Sequence, residues 1–178
     1  MKNILILLSC LFLLVSCKKS IDALPEATQT GANTFGLKLD GQFWVPQKFA
    51  GISAPTLEAF YSGTGDLRIT AGNFASEPTE TEFEIFVKNA SAPGVYQLNQ
   101  NTEVYPNAAA SYGYYVKRKI NPLNEWITNT QYKGSVTITK LDLTNRIVSG
   151  TFEFTAGSID SSAAPISVTD GRFDVKLQ

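Results

Sequence analysis

The sequence predicts an all-β domain, built either as an antiparallel β-sandwich or as a barrel-like structure. Apolar and polar residues alternate with a period of two over many short segments, as they do in half-buried strands. Turn-forming Gly, Asn, Asp and Pro residues separate these segments. Helical spacing of apolar residues is nearly absent outside the N-terminal segment. Such a series of short strands is typical of sandwiches and of barrels, and the pattern alone does not distinguish them.

The first 16 residues, MKNILILLSCLFLLVS, have the form of a bacterial signal peptide. Lys2 precedes an apolar run over residues 4–15, which is shorter than the ~20 residues needed to span a bilayer. The run ends in LVSC, which resembles a lipobox, the motif at which bacteria cleave before a cysteine and attach lipid. We therefore expect residues 1–16 to be removed and Cys17 to carry lipid chains, which include palmitate. An ordinary signal peptide followed by a chance cysteine is the alternative.

The cysteine and charge counts exclude several classes of function. Cys10 would leave with the signal peptide and Cys17 would be blocked as a thioether, so no thiol remains for a disulfide or a nucleophile. The chain has no histidine, which excludes Ser-His and Cys-His nucleophile pairs and His-ligated metal sites. With 15 Lys and Arg against 16 Asp and Glu, the chain has no basic surplus with which to bind nucleic acid.

The expected location is the outer membrane, with the lipid as anchor and the domain at the periplasmic face or the cell surface. Residue 18 is Lys, not the Asp that retains lipoproteins at the inner membrane of enteric-type bacteria. Lys18 and Lys19 follow the anchor directly and can contact anionic headgroups. Residues 17–33 are polar, without an apolar period, and are predicted to form a flexible tether. The antiparallel β-domain is predicted to occupy residues 34–178.

Six strands are predicted in the first part of the domain. They are residues 35–39, 42–45, 57–62, 66–72, 82–88 and 94–98. The first two flank Asp40-Gly41, which suits a type I′ hairpin turn because both central residues of that turn need positive φ. The fifth strand alternates most clearly, with residues 83, 85 and 87 inward, and Phe86 interrupts the polarity of its outer face.

Four strands are predicted in the remainder of the domain. They are residues 112–119, 134–143, 146–156 and 166–177. Thr144-Asn145 is predicted as a turn between the second and third of these strands. Asp170-Gly171 lies inside the last one, where it forms either a hairpin turn or a bulge. Residues 99–111 and 120–131 are the two longest irregular segments, and long loops on a β scaffold often carry binding residues.

The domain contains four short motifs at characteristic positions. They are NTFG at residues 33–36, LDG at 39–41, WVP at 44–46 and TDGRFD at 169–174. With the lipobox, they resemble a family of small Bacteroidota lipoproteins of unknown function. The resemblance covers nearly all of the mature chain, and residues 99–131 contribute little to it. It implies an all-β domain in the cell envelope and gives no catalytic residue to carry over.

The acidic residues give no convincing catalytic pair or metal site. Asp170 and Asp174 would lie ~13 Å apart on an extended strand, beyond the ~5–10 Å separation of glycosidase carboxyl groups. We interpret them as a turn aspartate and a surface aspartate, the latter paired with Arg172 or Arg146. With Asp160 they offer only a few of the six to eight oxygen ligands of calcium. Without a serine-nucleophile motif either, the chain is predicted to be a non-enzyme that needs no cofactor or metal.

Aromatic residues give the strongest indication of binding. Six of the seven tyrosines fall between residues 96 and 132. Their flat apolar rings with a polar edge suit stacking on sugars or docking of a partner protein. The candidate ligand-binding residues are Tyr105, Tyr115, Trp126 and Tyr132. The alternative is that these rings fill the core, with Tyr112 and Tyr114 inward and Tyr115 facing solvent.

The predicted function is therefore a lipid-anchored, non-catalytic envelope module that binds a glycan, a peptide or a partner protein. This hypothesis expects Trp126→Ala or Tyr115→Ala to lose binding while the domain stays folded. One alternative is a calycin-like barrel that carries a small apolar ligand. Another is a structural subunit of an envelope complex.

Overall fold

The computed structural model describes residues 22–49, 55–75, 80–118 and 124–178. In these ranges the chain is all-β, as predicted: antiparallel strands form a curled sheet with the shape of a half-barrel. The strands are β1 (Thr34–Leu39), β2 (Gln42–Trp44), β3 (Leu57–Tyr61), β4 (Leu67–Asn73), β5 (Thr81–Val87), β6 (Gly94–Leu98), β7 (Tyr112–Lys117), β8 (Asn124–Ile127), β9 (Gly134–Asp142), β10 (Ile147–Ser158) and β11 (Ile166–Lys176). The predicted signal peptide and Cys17 lie outside the described residues.

The long strand β10 joins two halves of the sheet. Its residues 147–154 pair with β9, and its residues 157–158 pair with β8. Sheet A contains β6, β9, β10, β11, β1 and β2, and sheet B continues from β8 through β7, β5 and β4 to β3. At the end of the chain, the Gln178 N–H donates to the Ala59 carbonyl at 2.8 Å. This bond brings the end of β11 to β3 and curls the sheet around its core.

A continuous row of aromatic rings fills the interior between the two halves. Adjacent ring centroids in this interior row lie 4.6–6.0 Å apart. The row runs through Phe152, Phe35, Trp44, Phe83, Tyr115 and Trp126. Aromatic contacts of this kind each contribute about 0.5–1.5 kcal/mol beyond the burial of their area. The interior row is therefore a main source of packing between the sheets.

Both Asp-Gly pairs adopt special backbone conformations. Asp40 and Gly41 have φ of 48° and 81°, which confirms the positive φ predicted for the β1–β2 hairpin turn. Asp170 has φ of 53°, but β11 runs through it, and the pairing with β10 shifts register between Phe152 and Phe154. Of the two alternatives for Asp170-Gly171, the structure contains the bulge. A Cβ on Gly171 would lie 2.5 Å from the Phe152 ring, so the close approach of that ring needs glycine.

One predicted loop contains a strand. Residues 120–131 were expected to be irregular, whereas Asn124–Ile127 form β8 between β7 and the end of β10. A strand of four residues is too short for its alternation to stand out from its surroundings. Its position is set by partners on other strands, since Tyr115 pairs with Trp126 and Ser158 pairs with Trp126 on the other side.

Residues 24–33, which belong to the predicted tether, lie against the domain, and we call them the N-terminal strap. The strap lies on the outer face of sheet A, the face directed away from the interior row. Pro25 packs against Gly36, where an added Cβ would lie 2.7 Å from the proline ring. Lys140 Nζ donates to the Gln29 carbonyl at 3.0 Å, and the Lys176 N–H donates to Asn33 Oδ1 at 2.9 Å. Because most of these contacts are polar and their partners are distant in sequence, the strap has no apolar periodicity that would reveal it.

Asp174 holds the strap in place and is not the surface residue that we expected. It lies on the outer face of β11 with only 1% of its surface exposed. Its carboxylate accepts hydrogen bonds from three backbone N–H groups of the strap and from three hydroxyl groups. The donors are the N–H groups of Thr30, Gly31 and Ala32 and the hydroxyls of Thr28, Thr30 and Ser149. Burial opposes ionisation, but these bonds outweigh it and hold the pKa of Asp174 well below its usual value.

Asp170 has a different environment. Its carboxylate is exposed and pairs with Lys38 Nζ at 2.8 Å. The hydrogen bond and the charge of Lys38 lower the pKa of Asp170. The two carboxylates thus serve separate structural contacts, one on the bulge and one beneath the strap.

Candidate functional site

The four aromatic residues predicted to bind a ligand do not form one site. Tyr115 and Trp126 are 5% and 7% exposed and belong to the interior row. Tyr105 is 51% exposed and lies on the surface of sheet B. Tyr132 is half-buried in a separate pocket, between residues 101–102, the turn at 129–132 and the loop at 158–165. Only Tyr105 and Tyr132 are therefore placed to contact a ligand.

The alternation of β7 is the reverse of the one expected. Tyr115 points into the core, while Tyr112 and Tyr114 lie on the outer face of sheet B, the face directed away from the interior row. Gly113 explains this orientation of β7, because Phe154 of β10 packs so closely over it that an added Cβ would lie 2.7 Å from the ring. Tyr115 follows on the same side and packs against Phe83, with centroids 4.6 Å apart. Burial raises the pKa of Tyr115 to about 12.

The two outward tyrosines of β7 bind glutamates of neighbouring strands. The hydroxyl of Tyr112 donates a hydrogen bond to Glu84 of β5, and the hydroxyl of Tyr114 donates one to Glu125 of β8. Burial, together with these carboxylates, raises the pKa of both hydroxyls strongly. Both tyrosines therefore remain neutral donors, which satisfies the buried carboxylate of Glu84.

Four side chains form a straight row across the outer face of sheet B. Phe60 of β3 pairs with Arg68 of β4, Arg68 pairs with Phe86 of β5, and Phe86 pairs with Tyr112 of β7. Opposite residues in antiparallel strands hold their side chains close enough to pack. The rings of Phe86 and Tyr112 stack with centroids 5.3 Å apart. Two phenylalanines at outward positions thus flank one arginine.

The loop at residues 99–111 covers part of this row and completes a pocket. Thr102 Oγ1 accepts the N–H groups of Ala109 and Ala110 at 2.9 and 3.3 Å and so ties the two arms of the loop together. The Tyr105 N–H donates to the Tyr112 hydroxyl at 2.7 Å, which places the Tyr105 ring beside Phe86. The apolar outward position of Phe86, visible in the sequence, is explained by this cover.

We call the resulting pocket the aromatic cleft. Its volume is about 330 Å³, and its lining includes Phe60, Arg68, Phe86 and Tyr105, with Tyr61 and Asp66 at its rim. Phe60 and Tyr105 expose 41% and 51% of their surfaces, whereas Phe86 forms the buried floor. The cleft therefore presents two accessible rings on either side of a cation.

Arg68 is fixed by contacts on two sides. Its Nε–H donates to Glu84 Oε2 at 2.9 Å, and its guanidinium carbon lies 4.5 Å from the centroid of the Tyr105 ring. Glu84 in turn accepts the hydroxyl of Tyr112. This chain of contacts orients the guanidinium before any ligand arrives and compensates its charge.

Asp66 lies at the rim of the cleft with its carboxylate already bonded. It accepts the Asn89 N–H at 3.0 Å and Lys88 Nζ at 3.3 Å. Burial raises its pKa, but these bonds and the positive charge of Lys88 outweigh burial and hold the pKa of Asp66 below its usual value. The Asp66 carboxylate is thus ionised at neutral pH and paired with Lys88.

The residues of the aromatic cleft were not proposed as a site from the sequence, apart from Tyr105. Phe60 and Phe86 share a recognisable signal, since both are apolar at outward positions of otherwise alternating strands. Arg68 has no such signal, because its place between them depends on the register of three strands.

Neither a membrane-spanning helix nor a metal cluster is found in the described part of the chain. No helix there is long and apolar enough to cross a bilayer. In the same residues, no group of three or more His, Cys, Asp or Glu side chains is placed to hold a metal ion.

The fold and the cleft define a β half-barrel domain with a preformed aromatic pocket on its outer surface. The chain belongs to the family described as Domain of unknown function (DUF6252), whose model matches residues 32–175. The match begins in the strap and ends on β11. No curated protein and no solved structure matches the chain. The resemblance to a family of unknown function is confirmed, while the bacterial group and the lipoprotein character stay predictions.

Proposed function

We propose that this chain is a lipid-anchored, non-catalytic module of the bacterial outer membrane that binds a partner protein through the aromatic cleft. The observation that carries the proposal is the pair of exposed rings, Phe60 and Tyr105, on either side of a fixed arginine. We infer that one apolar or aromatic side chain of the partner enters between these rings and stacks on the guanidinium of Arg68.

The composition of the cleft favours a protein partner. Aromatic residues and arginine are enriched where protein interfaces concentrate their binding energy. At about 330 Å³ the cleft lies at the lower end of the range for small-molecule pockets, ~300–1,000 Å³, which suits one inserted side chain. Because Arg68 and the loop are already held by internal bonds, little ordering entropy is lost on binding.

The carrier alternative has less support. A calycin-like barrel holds its ligand in the interior, where this chain places the row of rings from Phe152 to Trp126. Those rings contact one another at 4.6–6.0 Å between centroids. We therefore place the binding site on the outer surface of sheet B.

The proposed anchor would keep the cleft near the membrane. Lipidation at Cys17 and the outer-membrane location rest on the LVSC motif and on Lys18 in the sequence. The strap is held to the domain from Leu24 onward, so only seven residue steps separate it from Cys17. Fully extended, these steps span at most about 25 Å. Partners would then be met close to the membrane surface.

Site-specific photocrosslinking in living cells tests the binding site. A benzoylphenylalanine at position 105 should give a discrete adduct with one envelope protein. The same group at position 143 is the matched control, since Leu143 and Tyr105 are equally exposed at 51%. Adducts that are absent, or identical at both positions, would overturn the proposed site. Phe60→Ala should weaken the adduct at position 105.

The anchor is tested separately, by mass spectrometry of the N-terminus of the protein extracted from membranes. The expected result is a chain that begins at Cys17 with attached acyl chains, and loss of membrane association in Cys17→Ser. An unmodified cysteine, or a Cys17→Ser variant that stays in the membrane fraction, would contradict lipid anchoring without affecting the cleft.

A further inference from the structure

A second pocket lies at the other end of the 99–111 loop and has a different chemistry. It has a volume of about 480 Å³ and lies between residues 101–102, the turn at 129–132 and the loop at 158–165. Every residue that lines it is uncharged. Amide and hydroxyl side chains share the lining with a tyrosine ring and a few aliphatic residues. We call it the amide pocket.

We propose that the amide pocket binds a neutral saccharide. Such a site needs polar groups that hydrogen-bond to sugar hydroxyls and an apolar surface that packs against the C–H groups of a sugar ring. The pocket supplies both, as its asparagines and its tyrosine show.

The asparagines of the pocket are held so that they present donors. Asn129 Oδ1 accepts the N–H groups of Gln131 and Tyr132 at 2.8 and 2.9 Å. Asn101 Oδ1 accepts the N–H and the hydroxyl of Thr130 at 3.2 and 3.3 Å. Since both Oδ1 atoms are used within the fold, the Nδ2 groups are the parts of these amides that can bind a ligand. They would donate to sugar hydroxyl oxygens.

The tyrosine of the pocket packs against the backbone of β10. A Cβ added to Gly157 would lie 2.3 Å from two atoms of the Tyr132 ring, so the ring packs directly on the glycine. The Cδ2–Cε2 edge of the ring is thereby covered, which fixes the position of the ring. Ile159, 52% exposed, extends the apolar surface beside it. A sugar ring can stack on such a surface through its C–H face.

The uncharged lining selects against ionised ligands. A carboxylate or phosphate brought into the pocket would lose water and find no cation among the lining residues. A neutral sugar has no such cost, and its hydroxyls can donate as well as accept. Gln131 adds to this match, because its Nε2 lies 3.4 Å from the Tyr132 hydroxyl and its Oε1 is then the acceptor available to a ligand.

The test measures binding of arrayed neutral and acidic glycans by the full-length protein. It is extracted in a detergent without a sugar headgroup, since maltoside or glucoside detergents would compete. Neutral glycans are expected to bind and acidic ones to bind more weakly. Binding of the best neutral glycan is then measured in solution by calorimetry.

Asn129→Asp is the most informative variant. An aspartate oxygen can still accept the Gln131 and Tyr132 N–H groups, so the turn is kept, while the Nδ2 donors are replaced by a charge. Affinity should fall at least about tenfold, the effect of losing one well-placed hydrogen bond. Tyr105→Ala, which alters the aromatic cleft, should leave sugar binding unchanged.

The proposal would be overturned by any of three results. These are no binding of any neutral glycan, equal binding of acidic glycans, or unchanged affinity in Asn129→Asp and Tyr132→Ala variants that melt like the parent protein. The amide pocket shares no lining residue with the aromatic cleft, and its test needs no partner protein. Failure of one proposal is thus distinguishable from failure of the other.

Discussion

Replacing Asp174 by alanine should destabilise the domain and free the strap. Of the six bonds described above, those from the Gly31 N–H at 2.8 Å and the Ser149 hydroxyl at 2.7 Å are buried. Bonds to a charged acceptor contribute about 1.5–3 kcal/mol each when buried donors would otherwise stay unpaired. The other four donors are partly exposed and can bind water instead. The expected loss in the free energy of unfolding is therefore about 3–5 kcal/mol.

Thermal and urea unfolding of Asp174→Ala measure this loss, and hydrogen exchange locates it. A fall of about 10 °C in melting temperature is expected for a domain of this size. The Gly31 and Ala32 amides should exchange much faster than amides of the interior strands, since they lose their acceptor. Asp170→Asn is the matched control, because asparagine tolerates the positive φ of residue 170 and the lost exposed ion pair with Lys38 contributes no more than about 1 kcal/mol. Equal effects of the two substitutions, or continued protection of the Gly31 amide, would refute the role assigned to Asp174.

Three further predictions concern the pH response and packing. Because the pKa of Asp174 is depressed in the fold, its ionised carboxylate stabilises the fold above the usual carboxyl pKa of ~3.9, and this stabilisation is lost as the pH falls below that value. The melting temperature of Asp174→Asn, measured at a series of acidic pH values, should therefore fall less steeply with pH than that of the parent protein. Trp126→Ala should lower the free energy of unfolding by about 3–5 kcal/mol in urea titrations, instead of acting only on binding, because Trp126 ends the interior row. Gly113→Ala should also destabilise, since its Cβ would lie 2.7 Å from Phe154, and a melting temperature equal to that of the parent would contradict this packing.

The parts of the fold that the sequence predicts are those set by neighbouring residues. The positive φ values of Asp40 and Gly41 follow from the turn itself. The inward side of β5 follows from its own alternation. The YGYY run of β7 has no such signal, because apolar rings occupy both of its sides. Phe154, a residue of β10, decides its orientation by packing on Gly113.

The candidate site was only partly predictable for the same reason. The abundance of tyrosine near residues 96–132 is a property of the sequence, but the distribution of those rings between core and surface is not. Arg68 enters the aromatic cleft through the register of three strands and through a loop more than thirty residues away. The strap escapes prediction because its acceptor, Asp174, lies near the opposite end of the chain.

The strap has a consequence for the proposed anchored state. It occupies the outer face of sheet A, whereas the aromatic cleft opens on the outer face of sheet B. Leu24 and Pro25, at the start of the strap, thus lie on a different surface from the one proposed to bind a partner. With the strap bound, the span from Cys17 is at most about 25 Å, and with it released down to Thr34, about 60 Å. The carboxylate of Asp174 therefore sets how far a lipid-anchored domain could extend from its membrane.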